Sequence, residues 1–186
     1  MALTIQLVGK GVIANADASP DSAMPGSIWN ELGGGADSFS PDTYLFGSMS
    51  FAGAYSSKSG FQYFDIGAGN ELSFASGGAE EGQFIIMPIC CPTIGLLQTL
   101  AGYGLAIRIG TDQSNYREWA IAGSDDSNGW LGSDWKPFVV DPTHSGTRDV
   151  GTYNPASIRT MGVWIDAAVL AKGDNIFISQ ILCCSG

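Results

Sequence analysis

The sequence predicts an all-β fold, in which antiparallel strands form a two-sheet sandwich or a barrel. Short apolar segments with the two-residue period of strands recur along the chain, and turns rich in Gly, Pro, Asn and Asp separate them. No segment keeps an apolar period of 3.6 residues over more than two helical turns. About ten strands and little helix are therefore expected, since two facing sheets can bury the many Ile, Leu, Phe and Trp side chains.

Strands are expected throughout the first half of the chain, with one interruption. Residues 9–26 are rich in Ala, Ser, Asp and Pro without a sustained period, and Pro20 and Pro25 block a helix there. We interpret this segment as an extended arm or a long loop of a single domain that spans residues 1–186. Alternating or apolar residues predict strands at 3–7, 27–32, 42–55, 61–66 and 71–75.

The second half carries the clearest strand signals. Residues 83–91 are apolar on both parities, which predicts a central strand buried on both faces. Residues 92–102 fit either one helical turn around Leu96 and Leu97 or a loop with a strand. Polar turns separate five further strand segments, at 105–109, 116–121, 138–140, 161–165 and 176–178.

Charge and hydropathy exclude two classes of partner. Eighteen acidic residues outnumber eight basic ones, the formal net charge is −10, and Lys and Arg never cluster, so a nucleic-acid partner is not expected. No stretch approaches the roughly 18 apolar residues that a membrane-spanning helix needs. The N-terminus alternates and lacks the basic start of a signal peptide. We expect a soluble chain that is made in the cytoplasm.

The four cysteines form two adjacent pairs, Cys90-Cys91 and Cys183-Cys184. Neighbouring strand residues point to opposite faces, so a disulfide within a pair would be strained. A disulfide between the pairs requires the two segments to be neighbours. The two-residue spacing that is common among zinc ligands is absent. We expect small buried side chains that stay reduced.

No residue set for catalysis stands out, and we expect a non-enzymatic protein. The only histidine, His144, lies between Asp141 and Ser145 in a Pro-containing turn where both residue types are ordinary. The Gly-x-Ser-x-Gly elbow of hydrolases is absent. None of the five glutamates sits in the paired array of a glycosidase, and Glu118 beside Arg117 is expected to form a cross-strand pair.

We expect no metal or other cofactor. Three turns, at 112–115, 125–129 and 173–175, carry the oxygen ligands that calcium would accept. None of them has the full spacing of a dedicated calcium loop, and Asp, Asn and Gly are common turn residues without any metal. Calcium at one of these turns is the open alternative.

An aromatic group is the best evidence in the sequence for a ligand. Aromatic rings beside turn carboxamides and aspartates stack on sugar rings, and Trp130 and Trp135 lie on a Gly-rich loop. These two residues and Tyr153 form the candidate ligand-binding site. The alternative is that Trp119 and Trp164 pack in the sandwich and that Trp130 closes a loop.

Three stretches of the second half form a distinctive set. They are 107–119, which contains Ser-Asn-Tyr, 129–142, which runs from a Gly-Trp turn to Asp-Pro, and 172–178, which has an Asn before the last strand. This set resembles a jelly-roll domain of uncharacterised structural proteins of tailed bacteriophages. The same order is also similar to carbohydrate-binding-module and concanavalin-like sandwiches. The resemblance covers residues 104–181 well and the first hundred loosely, and it implies a two-sheet antiparallel jelly roll.

The resemblance also implies a function. The leading hypothesis is a bacteriophage virion structural protein, made in the host cytoplasm, that decorates the head surface as a cement protein. Its partners would be the major capsid protein and copies of itself, with a trimer favoured. The alternative hypothesis is a carbohydrate-binding receptor-recognition module of a tail or head fibre, whose partner is a cell-surface glycan.

Overall fold

The chain forms short strands joined by turns. A computed structural model describes residues 11–15, 28–32, 36–40, 45, 50–54, 59–74, 83–125, 134–168 and 174–185. Within these residues there are thirteen strands: β1 (Gly11–Asn15), β2 (Ile28–Leu32), β3 (Ala36–Ser40), β4 (Ser50–Ala54), β5 (Ser59–Asp65), β6 (Gln83–Cys90), β7 (Leu105–Asp112), β8 (Asn115–Ala122), β9 (Trp135–Val140), β10 (Arg148–Val150), β11 (Thr160–Asp166), β12 (Asp174–Ile178) and β13 (Gln180–Ser185).

The described strands assemble into two antiparallel sheets. One sheet has seven strands, in the order β1-β13-β6-β12-β4-β3 with β9 also paired to β6, and the other has six, in the order β10-β8-β7-β11-β5-β2. The chain repeatedly crosses between the sheets, as from β4 to β5 and from β6 to β7. The predicted all-β, two-sheet antiparallel sandwich with little helix is confirmed. The described strands outnumber the predicted ten because β1, β3, β10 and β13 have no counterpart among the predicted strand segments.

The core lies between the sheets because every second residue of each inner strand is apolar and points toward the other sheet. Ile85, Met87 and Ile89 of β6 are fully buried, as are Leu105 and Ile107 of β7. Burial of each such side chain stabilises the fold by about 1.5–3 kcal/mol. Strand β6 pairs with β9 on one side and with β12 and β13 on the other, which confirms the predicted central strand at 83–91.

Three described segments differ in detail from the expectations. Within 9–26, the described part is strand β1, which pairs with β13. In 42–55, Leu45 lies in a bend and the described strand starts at Ser50. In 71–75, Leu72 makes only an isolated bridge to Ile158. A tight turn in which Gly67 and Gly69 both have positive φ precedes it, so the chain does not run extended there. The strand predicted at 3–7 lies outside the described residues.

The segment 92–102 forms two 3₁₀ turns, Ile94–Leu96 and Leu100–Gly102, in place of a single helical turn. The hydroxyl of Thr99 accepts a hydrogen bond from the Gly102 N–H at the second turn. Among the described residues, no helix has the length and apolar content needed to cross a membrane.

Candidate functional site

The six-stranded sheet carries a row of charged and aromatic side chains on the face that points away from the core. On β7, Ile107 and Ile109 point into the core, so Arg108 between them takes the opposite face. The register places Glu118 of β8 on one side of Arg108 and Gly162 of β11 on the other. The row therefore results from strand alternation across neighbouring strands.

Two arginines share one buried carboxylate in this row. Glu118 is completely buried, and its Oε2 accepts a hydrogen bond from Nε of Arg108. Its Oε1 accepts a hydrogen bond from Nε of Arg148 at 2.8 Å. A carboxylate without solvent is stable only when it is paired in this way. The predicted cross-strand pairing of Glu118 is confirmed, although its partners are Arg108 and Arg148, while Arg117 pairs with Asp149.

Aromatic rings pack against both guanidinium groups. The Arg108 Cζ atom lies 3.7 Å from the ring centroid of Trp164 and 4.6 Å from that of Tyr116. The Arg148 Cζ atom lies 4.4 Å from the ring centroid of Tyr103. Burial lowers the pKa of Arg108, and the hydrogen bond to Glu118 opposes that shift. These cation–π contacts fix the rings and make this part of the sheet rigid.

An open polar depression lies at one end of the same sheet. It forms where the β7–β8 hairpin turn meets the end of β5 and the start of β11, and its volume is about 510 Å³. Ligand clefts commonly fall in the range of about 300–1,000 Å³. The side chains that line it are all polar or charged: Asp65, Thr111, Asp112, Gln113, Ser114, Asn115, Arg159 and Thr160.

An ion pair forms one wall of the depression. Nε of Arg159 donates to Oδ1 of Asp65 at 2.7 Å, and its Nη2 donates to Oδ2 at 3.0 Å. This bidentate geometry fixes both planar groups. The hydrogen bonds with Asp65 raise the pKa of Arg159.

The hairpin turn forms the opposite wall. Oδ1 of Asp112 accepts hydrogen bonds from the Ser114 N–H at 2.7 Å and from Nδ2 of Asn115 at 3.0 Å. Partial burial alone would raise the pKa of Asp112, but these hydrogen bonds outweigh it and lower the pKa below its ordinary value. Oδ1 of Asn115 accepts from the Thr152 N–H at 2.9 Å, and Nε2 of Gln113 contacts the Tyr63 hydroxyl. The depression is therefore bordered by side chains whose positions are set within the protein.

The structure separates two of the residues that the sequence singles out as a ligand site. Trp135 begins β9 and packs against Ala52, Cys90 and Phe177. The Tyr153 hydroxyl donates to the carbonyl oxygen of Pro142 at 2.7 Å, just beyond the other end of β9. At about 3.3 Å per residue these positions are roughly 20 Å apart, so the two side chains do not converge. Trp130 lies outside the described residues.

Tyr153 is engaged within the protein. Its ring packs against the core, and the Arg117 Cζ atom lies 4.3 Å from the ring centroid. Burial raises its pKa well above the ordinary range. The two tryptophans expected to pack in the sandwich behave differently, because Trp119 packs against the core whereas Trp164 lies on the outer face beside Arg108.

The remaining chemically interesting residues have local roles. Nδ1 of His144 lies 2.7 Å from Oδ2 of Asp141 within an exposed turn. Cys90, Cys91 and Cys183 are buried, as expected of small apolar side chains. No group of three or more His, Cys, Asp and Glu side chains suited to a metal occurs in the part of the chain that the structure describes. The expectation of no metal stays a prediction, with calcium at one of the three turns as its alternative.

Comparisons with known proteins concern the architecture. Neither a protein-family model nor a curated protein sequence matches this chain. A solved exo-β-agarase matches with a TM-score of 0.55 at 9% identity, over 91% of this chain and 24% of the agarase chain. The similarity is one of fold. At such an identity it establishes a shared β-sandwich architecture, in a chain that spans about a quarter of the agarase.

Two smaller proteins give lower scores. A carbohydrate-binding module of the β-sandwich superfamily has a TM-score of 0.47 at 12% identity, over 85% of this chain and 56% of that one. A xylan-binding domain of carbohydrate-binding-module family 22 has a TM-score of 0.46 at 7% identity, over 96% and 95%. The sandwich part of the resemblance is supported by the fold, and its bacteriophage part stays a prediction.

Sequence reasoning does not find the polar depression. Asp65 and Arg159 are 94 residues apart, and each is an ordinary strand-end residue in the sequence. The turn at 112–115 was singled out only as one of three turns with oxygen ligands. Its proximity to Arg159 depends on the pairing of β7 with β11, which no local pattern specifies.

Proposed function

We propose that this chain is a non-catalytic carbohydrate-binding domain that holds a glycan in the polar depression. The observation that carries the proposal is the convergence of acceptor and donor side chains from four strands and the β7–β8 turn around one open concavity of about 510 Å³. The agarase-like sandwich fold is compatible with this role.

The lining groups match the chemistry of a sugar. Each sugar hydroxyl can donate one hydrogen bond and accept others, so both acceptor groups such as carboxylates and donor groups such as guanidinium and amide N–H can bind it. The depression offers the carboxylates of Asp65 and Asp112, the amides of Gln113 and Asn115, and the guanidinium of Arg159. Recognition here would depend on hydrogen bonds, since the nearby ring of Tyr63 is buried.

Preorganisation favours binding at this place. Arg159 and Asp65 orient each other, and Asp112 is fixed by the backbone of its own turn. Side chains that are already ordered lose little conformational entropy when a ligand binds.

The test is binding to a panel of soluble polysaccharides, measured by affinity electrophoresis and titration calorimetry. Arg159→Ala should weaken binding about tenfold or more, because hydrogen bonds to a charged group contribute about 1.5–3 kcal/mol. Arg148→Ala is the matched control. Arg148 is also ion-paired on this sheet and similarly exposed, with 43% of its side chain accessible against 38% for Arg159, but it does not line the depression.

The outcomes separate the possible sites. Gln113→Ala removes an exposed lining side chain and serves as a second test if Arg159→Ala proves unstable. Failure to bind any polysaccharide would refute the proposed function. If binding is lost in Trp130→Ala or Trp135→Ala and kept in Arg159→Ala, the glycan occupies the aromatic site predicted from the sequence instead.

Carbohydrate binding suits the alternative hypothesis of a receptor-recognition module better than capsid decoration. A position in a virion, a capsid-protein partner and a trimer remain predictions from the resemblance. Purified particles test them, because a decoration protein should copurify with heads and its removal should lower their stability.

A further inference from the structure

Negatively charged carboxylates outnumber the single guanidinium group, that of Arg159, around the depression. Asp65 and Asp112 line the depression together with Arg159. Glu71 precedes Leu72, which bridges to Ile158 beside Arg159, so its carboxylate lies near the same guanidinium and, like those of Asp65 and Asp112, raises the pKa of Arg159. Glu71 does not line the depression, and its Oε1 accepts a hydrogen bond from the Gly69 N–H at 3.0 Å. Three carboxylates therefore act on one guanidinium, and the local charge is negative.

No other described arginine offsets this charge. Arg108 and Arg148 are both paired with Glu118, and Arg117 is paired with Asp149. The chain as a whole carries a formal charge of −10. A ligand that approaches the depression therefore meets a negative local and overall potential.

From this balance we infer that the depression selects uncharged glycans and rejects anionic ones, with Glu71 as a specificity determinant that acts through charge alone. The inference rests on the proposed function, since it concerns the ligand of that same site. A sulfate or uronate group would be placed close to carboxylates whose countercharge, Arg159, is already occupied by Asp65. Like-charge juxtaposition of this kind is a general source of specificity.

The experiment compares the same polymer with and without charge. Xylan and agarose oligosaccharides are measured before and after chemical sulfation, at 20 mM and at 500 mM NaCl. At low salt we expect the wild type to bind the sulfated form at least about tenfold more weakly than the neutral form. This difference in affinity should shrink at high salt, because the Debye screening length falls from about 20 Å to a few ångströms.

Two charge variants locate the effect. Glu71→Gln should leave the affinity for the neutral polymer unchanged. It should reduce the ratio of the affinity for the neutral polymer to that for the sulfated polymer several-fold. Asp134→Asn is the matched control, since it changes the net charge equally at an exposed position beside Trp135, at the end of the sandwich away from the depression. It should leave the ratio unchanged.

The outcomes are distinguishable from those of the proposed function. If neither polymer binds, both the carbohydrate proposal and this inference fail. If the neutral and the sulfated polymers bind equally, or the sulfated one binds more tightly, carbohydrate binding stands and the selectivity is refuted. If Asp134→Asn narrows the ratio as much as Glu71→Gln, net charge rather than the local site discriminates.

Discussion

Removing the charge of Glu118 should destabilise the protein far more than removing that of an exposed carboxylate. Glu118→Gln keeps the size of the side chain and one acceptor oxygen but removes the countercharge of Arg108, which is only 6% exposed. Breaking a buried ion pair from one side costs about 3–5 kcal/mol, because the remaining charge is left without solvent or partner. We expect a loss of about 3 kcal/mol, since the amide still accepts a hydrogen bond.

The control is Asp149→Asn. Asp149 forms a bidentate pair with Arg117, at 2.6 and 2.7 Å, but 43% of its side chain is exposed. Such pairs contribute about 0–1 kcal/mol, so the variant should stay close to the wild type.

Urea unfolding followed by tryptophan fluorescence gives the free energy of unfolding for each variant, with an unchanged m-value as the check on comparability. A double variant, Arg108→Met with Glu118→Leu, should regain most of the loss because it removes both buried charges. A stabilising role of the buried Glu118 charge is refuted if the free energy of unfolding of Glu118→Gln lies within about 1 kcal/mol of the wild-type value, or if the double variant is less stable than the single one.

Three further predictions use the same unfolding measurement. Gly162→Ala should lower the free energy of unfolding by about 1–3 kcal/mol, since a Cβ atom there would lie 2.0 Å from the backbone oxygen of Gln62. The control Gly95→Ala should be nearly neutral, because a Cβ atom at that position meets no atom within 4 Å. Equal losses of stability in the two variants would contradict this prediction. Gln62→Leu should be neutral or should stabilise the protein by about 1 kcal/mol, because the buried amide of Gln62 has no hydrogen-bond partner among the described residues. A loss of more than about 1 kcal/mol in the free energy of unfolding would show that the amide does have a hydrogen-bond partner. Burial raises the pKa of Cys91 to about 12 and that of Cys90 to about 11, against an ordinary value of 9.0. The stability that these neutral thiols contribute is complete below pH 9 and is lost as the pH rises through 11 and 12. Native Cys90 and Cys91 should also resist thiol reagents at pH 8 and react in urea; rapid native labelling or stability that does not fall above pH 9 would count against their burial.

Many of the strands can be predicted from the sequence because they depend on the spacing of apolar residues and on the residue types in turns. The apolar segments at 105–109, 116–121 and 161–165 become β7, β8 and β11. Only β8 alternates between buried and partly exposed side chains, over its first five residues, whereas most of β7 and β11 is buried on both faces. The apolar run at 83–91 becomes β6 in the middle of the larger sheet. Less apolar strands, such as β3 and β10, were missed because their stability comes from neighbouring strands and not from their own composition.

The availability of a side chain for a ligand could not be predicted from the sequence. Aromatic residues near polar turns pointed to Trp130, Trp135 and Tyr153, but a side chain's availability depends on what packs against it. The Tyr153 ring lies against the core and beside Arg117, and its hydroxyl is bonded to Pro142. That information exists only in the folded molecule.

The sequence by itself determined the all-β class, the central apolar strand at 83–91 and the expectation of reduced cysteines, because each follows from local period, turn residues or neighbouring positions. The tertiary structure alone decided that Asp65 meets Arg159 across 94 residues and that two arginines share Glu118. The physical reason is that strand register, which is a property of paired segments, sets which polar side chains meet. The polar depression, and the function proposed for it, come from that pairing.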